Sequence, residues 1–380
     1  MANPTKYPLK LAWLLKLAAQ WGWYLLALFI IIVTQFPDWL ANYYTNGLFK
    51  WFSKGLRWMS SSFPNAMGEY VYLFIIILLI INVFKHLFKY YKQYKIEQNG
   101  SRLIKDIAKK TVHFLVQLFV LFMLIWGLNY QQSSPTKPFG LQVKDSYNDV
   151  EIEQLTLQLI EELNLTRAQL SDTELNKVNI NQVFLETIQE YAQIQMLYPF
   201  LKLTNPSLKQ AKFPQMGDYL GFMAFYHPLT GEAIIRGDLP LLTVPFTTCH
   251  EIAHQLGYAS ETEANFIAFV IGTESKRPLF KYSMLLQLFS YAQSAELNFI
   301  AKAGDFENWK KVAERNKNLL LPKVLTDRKK IKVFFLARQG FLIPASTSMY
   351  NQFLLWNKQA KGINSYDDVL IWALAYRAKK

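Results

Sequence analysis

The chain has 380 residues, of which 51% are hydrophobic, 18% are charged and 16% are aromatic. So large an apolar fraction excludes a disordered chain, and the single cysteine, Cys249, excludes an intrachain disulfide framework. The formal net charge of +13 is concentrated in residues 1–130, which carry 14 basic and 4 acidic residues, whereas residues 131–380 carry 27 and 24, so we expect no nucleic-acid partner.

Three apolar segments in the first third of the chain predict transmembrane helices. Residues 17–37 contain no charge, and about 20 apolar residues are enough to cross a bilayer core. The second segment covers residues 70–84 and continues past Lys85, and the third has its apolar core at residues 112–128. The first segment is too long for a signal peptide and no cleavage site follows it, so we interpret it as an uncleaved anchor. We place the spans at about residues 13–36, 69–88 and 111–130.

The basic residues of the short loops predict the orientation of these spans. Residues 85–110 carry eight lysines and arginines, and residues 38–69 carry three. The larger cluster should remain in the cytoplasm, together with an N-terminus that contains Lys6, Lys10 and Lys16. Three spans then place residues 131–380 on the outer side, and the lipid bilayer is the first predicted partner.

The loop between the first two spans contains an amphipathic segment. One helical stripe is apolar and another is basic, and tryptophans lie nearby. The apolar stripe comprises Leu48, Phe49, Phe52, Leu56 and Met59, the basic one Lys50, Lys54 and Arg57, and the tryptophans are Trp39, Trp51 and Trp58. Two interpretations fit this pattern: a helix lying in the membrane interface, and a short helix packed on the outer domain.

The remaining residues predict a linker and an outer domain. Residues 131–149 are polar and contain proline, which is typical of a linker, and residues 150–380 form the domain. Two β-like runs, 219–227 and 232–236, flank a Pro-Leu-Thr-Gly turn and predict a hairpin. The pattern elsewhere is mostly helical. The predicted fold is therefore mainly α: three transmembrane helices followed by an α+β domain with a small sheet.

Residues 250–254 of this domain read His-Glu-x-x-His. In a helix, His250 and His254 lie on one face about one turn apart, which suits two nitrogen ligands of one tetrahedral Zn²⁺. Glu251 is rotated by about 100° from His250, so it can accept a proton from an activated water without being a ligand. Chance would produce about 0.005 such motifs in a chain of this composition.

A third metal ligand is expected a few residues downstream. Ser260 and Glu263 form a capping-box pattern, which predicts a new helix starting at Glu261. Glu263 would then be occupied at the helix start, so Glu261 is the preferred ligand and Glu263 the alternative. Asn265 is expected to orient a ligand imidazole. Candidates to stabilise an oxyanion are His227, Tyr226, Tyr258, Tyr350 and Tyr376.

This segment resembles the gluzincin branch of zinc metallopeptidases, whose motif is His-Glu-x-x-His followed by a downstream Glu. Residues 261–265, Glu-Thr-Glu-Ala-Asn, are similar to the Glu-x-x-Ala-Asp pattern of membrane-bound members. The resemblance implies Zn²⁺ held by His250, His254 and Glu261, with Glu251 as the general base. Asn265 stands where those enzymes have Asp, and the six residues between His254 and Glu261 are few for the class.

Nearly the whole chain resembles an uncharacterised bacterial family, domain of unknown function 3810. The resemblance is carried by the three spans and by residues 126–130, 228–233 and 249–257. It implies a multi-pass protein of the bacterial inner membrane with a periplasmic peptidase domain acting on a peptide or protein. We therefore expect a membrane-anchored zinc metallopeptidase that hydrolyses peptide bonds. The alternative is a catalytically inactive, metallopeptidase-like membrane protein that serves as a binding protein or scaffold.

Overall fold

The structure, a computed structural model, describes residues 21–97, 100–132, 134–357 and 366–380. The described chain is mainly helical with one three-stranded sheet, as the sequence predicts. Contacts divide it into an N-terminal unit, Met1–Phe49 with Tyr70–Ser133, and a C-terminal unit, Lys50–Glu69 with Ser134–Lys380. The predicted cytoplasmic lysines before residue 21 and the start of the first predicted span lie outside the described residues.

The N-terminal unit contains the candidate membrane spans. Its elements are α1 (Trp21–Val33), α2 (Pro37–Trp39), a π-helical segment (Leu40–Phe49), most of α4 (Met67–Glu97), α5 (Gly100–Ile125) and a 3₁₀ turn (Gly127–Gln131). Within α4 and α5, Met67–Lys95 and Ile104–Ile125 are long and apolar enough to cross a membrane. A third crossing is added if α1 and the helical run Pro37–Ser61, which meet at a bend of 103°, form one broken span. Two to three apolar helices agree with the predicted membrane protein, and its orientation stays a prediction.

The C-terminal unit is built around a buried helix. Its helices are α3 (Lys50–Ser61), α6 (Asp149–Ala168), α7 (Asp172–Leu175), α8 (Ile180–Leu197), α9 (Gln215–Leu220), α10 (Val244–Gln255), α11 (Glu261–Glu274), α12 (Pro278–Lys302), α13 (Phe306–Leu319), α14 (Pro322–Leu336), α15 (Ile343–Trp356) and α16 (Tyr366–Lys379). Every residue of α11 from Thr262 to Gly272 is buried, because α8, α10, α12 and α16 surround it. Phe139, inside the predicted linker 131–149, also belongs to this core.

A small sheet lies beside α10. It has the order β1 (Leu208–Gln210), β3 (Glu232–Ile235), β2 (Ala224–His227), with β1 parallel and β2 antiparallel to β3. The β2–β3 pair is the predicted hairpin. Its turn ends at Gly231, which has φ +69°, in the left-handed region that glycine adopts without strain. Along β2, Tyr226 and His227 point to opposite faces of the sheet.

Most of the amphipathic segment of the first predicted loop forms α3 and packs within the C-terminal unit, whereas Leu48 and Phe49 belong to the π-helical segment of the N-terminal unit. The buried residues of α3 are Ser53, Arg57 and Ser60, which lie on one side of the helix. Packing of this helix on the domain that follows the spans, one of the two interpretations of the segment, is therefore observed, and the polar side of the helix makes the contact. Trp51 and Trp58 point away from that contact and are exposed.

Candidate metal centre

Helix α10 presents His250 and His254 side by side. Their ring centroids are 4.8 Å apart and their Nε2 atoms 3.2 Å apart. The Nδ1 atom of His250 lies 2.8 Å from Asn265 Oδ1, and the Nδ1 atom of His254 lies 2.6 Å from the carbonyl oxygen of Tyr258. A carbonyl or amide oxygen only accepts hydrogen bonds, so each Nδ1 carries the proton. The two Nε2 atoms are thus the ones oriented to hold a metal.

The first residue of α11 brings a carboxylate to these two nitrogens. Helix α10 ends at Gln255, and Gly257, two residues later, has a φ of +97° that permits the sharp turn a short connector needs. Glu261 Oε2 then lies 3.3 Å from His250 Nε2, and Glu261 Oε1 lies 3.7 Å from His254 Nε2. Glu263 instead accepts a hydrogen bond from the backbone N–H of Ser260, at 3.4 Å, within a capping box. Of the two acids, the geometry brings Glu261 to the histidines.

The three side chains fit the size of a zinc ion. Ligand atoms about 2.0–2.2 Å from a tetrahedral Zn²⁺ lie about 3.2–3.6 Å from one another. The Nε2 atoms of His250 and His254 are 3.2 Å apart, Glu261 Oε2 lies 3.3 Å from His250 Nε2, and the other oxygen, Oε1, lies 3.7 Å from His254 Nε2. With one donor atom taken from each residue, all three lie within 4.8 Å of one another. Among the described residues, these three form the cluster of histidine, cysteine and acidic groups that could hold an ion. Two nitrogens and one oxygen are a donor set that zinc accepts.

The charges of His250, His254 and Glu261 shift one another's pKa values. Burial alone would lower the pKa of His250, but the hydrogen bond and charge of Glu261 outweigh burial and raise it to about 9. Burial raises the pKa of Glu261, yet the hydrogen bond with His250 and the charges of both histidines bring it down to about 2. Burial and the charge of His250 lower the pKa of His254 to about 4. In the metal-free protein the contact between the two therefore favours a protonated His250 next to an ionised Glu261.

Glu251 lies next to His250 but is not one of the converging groups. Its residue is 5% exposed, and its Oε2 atom is buried without a hydrogen-bond partner among the described residues. Burial raises the pKa of Glu251 to about 8. An unpartnered buried carboxyl group costs stability, and strongly shifted acids are concentrated at functional sites. Glu251 is thus a buried acid next to the histidine pair, outside the set of three converging side chains.

A cavity of about 450 Å³ lies along α10 on the N-terminal side of the histidines. Phe246 and Thr247 form one wall, and the Phe246 ring is 6.1 Å from the His250 ring. Leu286 of α12 and Phe335 of α14 contribute apolar walls, and three basic residues also line the cavity: Arg328, Lys329 and Lys332. The cavity is large enough for a bulky side chain.

The oxyanion candidates occupy different environments. His227 is fully buried, with Nδ1 3.1 Å from the Thr230 hydroxyl, and burial lowers its pKa to about 4. The ring of Tyr226 is 6.5 Å from that of His254. The hydroxyl of Tyr350 donates a hydrogen bond to Glu261 Oε1 at 2.5 Å. Tyr376 packs in the core against Phe139 and donates to Glu274, and Tyr258 contributes its carbonyl oxygen to His254.

Arg57 positions the end of α10, a role that its sequence context as one of three basic residues does not predict. Arg57 is buried and donates from Nη1 to the carbonyl oxygen of Gln255, at 2.8 Å, at the end of α10. It also donates to the carbonyl oxygens of Thr204 and Asn205, at 3.1 and 3.2 Å, and Ser53 Oγ donates to Gln255 O at 3.2 Å. A positive charge at the C-terminus of a helix stabilises it. The spacing of the polar residues 53, 57 and 60, which places them on one side of a helix, is the sequence feature that could predict this contact.

One protein family model matches most of the chain. A family model described as "Protein of unknown function (DUF3810)" matches residues 44–374, a stretch that includes α3, the sheet and the metal cluster. No curated protein and no solved structure matches the chain. The chain belongs to the DUF3810 family.

Proposed function

We propose that the C-terminal unit is a zinc-dependent peptidase anchored to a membrane. The observation that carries the proposal is the convergence of His250, His254 and Glu261 beside Glu251, whose buried Oε2 atom has no hydrogen-bond partner within the described part of the chain. Three protein ligands of this kind leave a coordination position for water, as in catalytic rather than structural zinc sites. A structural site would be expected to have a fourth protein ligand, often a cysteine. The one cysteine of the chain, Cys249, is buried and is not part of the cluster formed by His250, His254 and Glu261.

The reaction supported by this arrangement is the hydrolysis of a peptide bond. Zinc in a site of this type supplies Lewis acidity, which acidifies a water and polarises a carbonyl group. Glu251 accepts a proton from the attacking water at Oε2, and the remaining hydroxyl adds to the scissile carbonyl carbon. The C–N bond then breaks, and Glu251 returns the proton to the leaving amine. Burial, which raises the pKa of Glu251, favours a carboxyl group that can hold the proton between these two steps.

The sheet and the cavity supply places for a peptide substrate. Strand β2 is at the edge of the sheet and carries Tyr226 towards His254. An extended peptide that pairs with this edge would pass the two histidines. The cavity beside Phe246 would then receive one of its side chains. The apolar walls favour a large apolar residue, and the three basic residues favour a substrate that carries an acidic group nearby.

Full-length protein in detergent, loaded with zinc, tests the proposal. Wild type should bind about one zinc per chain and cleave members of a broad peptide library. His250→Ala should lose the metal, whereas Glu251→Gln should keep it and lose cleavage. Glu263→Gln should keep both, because Glu263 belongs to the capping box. Undiminished cleavage by Glu251→Gln would reject the mechanism, and a zinc-loaded wild type that cleaves nothing would favour the scaffold alternative.

A further inference from the structure

The outward side of α3 is apolar and aromatic. Trp51 is 76% exposed and Trp58 65%, and Phe52 and Met59 are exposed beside them. Ser53, Arg57 and Ser60 face the opposite way and are buried. In a water-soluble domain the apolar side of a surface helix packs on the core and the polar side is solvated. The arrangement of α3 is the reverse, which requires an apolar environment on its outward side.

Polar contacts fix α3 to the end of α10. Arg57 and Ser53 both bond the carbonyl oxygen of Gln255, the residue after His254. Ser60 Oγ lies 3.0 Å from Ser207 Oγ, next to β1. Hydrogen bonds from a buried charged group are each worth about 1.5–3 kcal/mol. Helix α3 is therefore a firm part of the unit that carries the metal cluster.

The first residues of α4 are held by the same unit. Glu232 of β3 accepts hydrogen bonds from the backbone N–H groups of Met67, at 3.0 Å, and Gly68, at 2.6 Å. Gly68 lies against the ring of His227, where a Cβ atom would come within 2.6 Å of a ring carbon. A carboxylate at these N–H groups is the favourable charge for the start of a helix. The sheet thus holds the beginning of a candidate membrane span.

We propose that α3 lies in the lipid interface of the membrane, with Trp51 and Trp58 among the lipids and the metal centre just above them. Met67, where the candidate span begins, follows the end of α3 by six residues. Six residues reach at most about 20 Å, so α3 cannot lie far from the membrane surface. Tryptophan is enriched at that surface, and Lys54, exposed beside Trp51, suits the headgroup region.

This location defines a class of substrate, an inference that rests on the proposed peptidase function. Helices in contact have axes about 8–10 Å apart, and His254 directly precedes the residue that α3 contacts. The metal centre therefore lies within about 15 Å of α3, a distance spanned by about five extended residues. Substrates would be segments of membrane-bound or lipid-anchored proteins whose scissile bond lies next to the bilayer.

Quenching by brominated lipids tests the location without any need for activity. Full-length wild type, the double variant Trp51→Phe/Trp58→Phe and the control Trp309→Phe are reconstituted in phosphatidylcholine nanodiscs, with plain or acyl-brominated lipid. Trp309 lies on α13, which packs on α6 and α12. The fluorescence of Trp51 and Trp58 is the difference between wild type and the double variant, and brominated lipid should quench it at least about twofold. The fluorescence of Trp309, the difference between wild type and Trp309→Phe, should not be quenched. If brominated lipid quenches the fluorescence of Trp51 and Trp58 no more than that of Trp309, the proposed location is overturned. Absence of quenching at all of these residues would indicate a protein surface over α3.

A spacer series tests the substrate class. One peptide that the zinc-loaded protein cleaves in detergent is anchored to vesicle lipid through a spacer of three residues, or through a helix of 20 residues, about 30 Å long. The short spacer should be cleaved at least about tenfold faster at equal surface density, because only it places the bond near the bilayer. Equal rates would overturn the substrate class. A protein that cleaves no peptide even in detergent would refute the peptidase function, while the quenching result stands independently.

Discussion

Asn265 offers the sharpest test of how the metal site is organised. Its Oδ1 atom accepts the Nδ1 proton of His250 at 2.8 Å, inside the core, where water does not replace it easily. Loss of such a partner typically costs 10–100-fold in metal affinity, or about 1.4–2.8 kcal/mol. We expect this loss in Asn265→Ala. Asn265→Asp should act in the opposite direction and tighten zinc binding about tenfold, because a charged acceptor makes a hydrogen bond about twice as strong.

The measurement is zinc competition against a chromophoric chelator, with full-length protein at pH 7.5 and fixed ionic strength. Thermal unfolding of the metal-free proteins serves as the control, since Asn265→Ala also leaves a small cavity and a less constrained imidazole. The reasoning predicts an order of affinity of Asp above Asn above Ala at position 265. Equal affinities of the three proteins, with equal unfolding midpoints, would refute the view that this hydrogen bond positions His250.

Three further predictions address charge, stability and specificity. Because the pKa of His250 is raised to about 9 in the metal-free protein, zinc must displace its proton at pH 7. Calorimetry in buffers of different ionisation enthalpy should record the release of at least one proton on zinc binding. The apparent zinc affinity should rise about tenfold per pH unit until the proton is lost near pH 9. Asp327→Ala should lower the free energy of unfolding by about 3–5 kcal/mol, because it removes the buried one of the two carboxylates that pair with the buried Arg167, at 2.6 Å. Asp172→Ala, which removes the solvent-exposed carboxylate of the same arginine, should have a much smaller effect. Leu286→Trp should fill part of the cavity and lower kcat/KM at least about tenfold for peptides with a bulky apolar side chain, with unchanged zinc content; equal kcat/KM would show that the cavity does not receive the substrate.

Local signals in the sequence were sufficient for the elements around the site. The Pro-x-x-Gly turn marks the β2–β3 hairpin, because Gly231 adopts a positive φ. Gly257 marks the end of α10, and the Ser260–Glu263 capping box marks the start of α11. Together these two signals set the short connector that brings Glu261 to the histidines. Each depends on the conformational preference of residues a few positions apart, which a sequence displays directly.

Contacts between distant segments had no such signal. Strand β1 has three residues and forms a sheet because it lies parallel to β3, more than 20 residues away. The contact of Tyr350 with Glu261 joins residues 89 positions apart, and four tyrosines were equal candidates before the fold was known. Phe139 lies in a polar, proline-containing stretch that is typical of a linker, yet its ring packs against Phe266 in the core. In these cases tertiary packing, rather than local preference, determines the structure.

The local sequence pattern also does not predict which side of α3 packs on the protein, as Arg57 illustrates. An amphipathic helix is ordinarily interpreted with water outside and an apolar core inside, so Arg57 was grouped with Lys50 and Lys54 as a basic stripe. If lipid covers the outward side, as we propose, the polar side is the one that must find partners within the protein. The planar guanidinium suits this task, because its five N–H donors can bond several carbonyl oxygens at once, here those of Gln255, Thr204 and Asn205. A lysine would offer a compact charge without that fixed geometry, so the choice of arginine at this position follows from the carbonyl oxygens that converge on it.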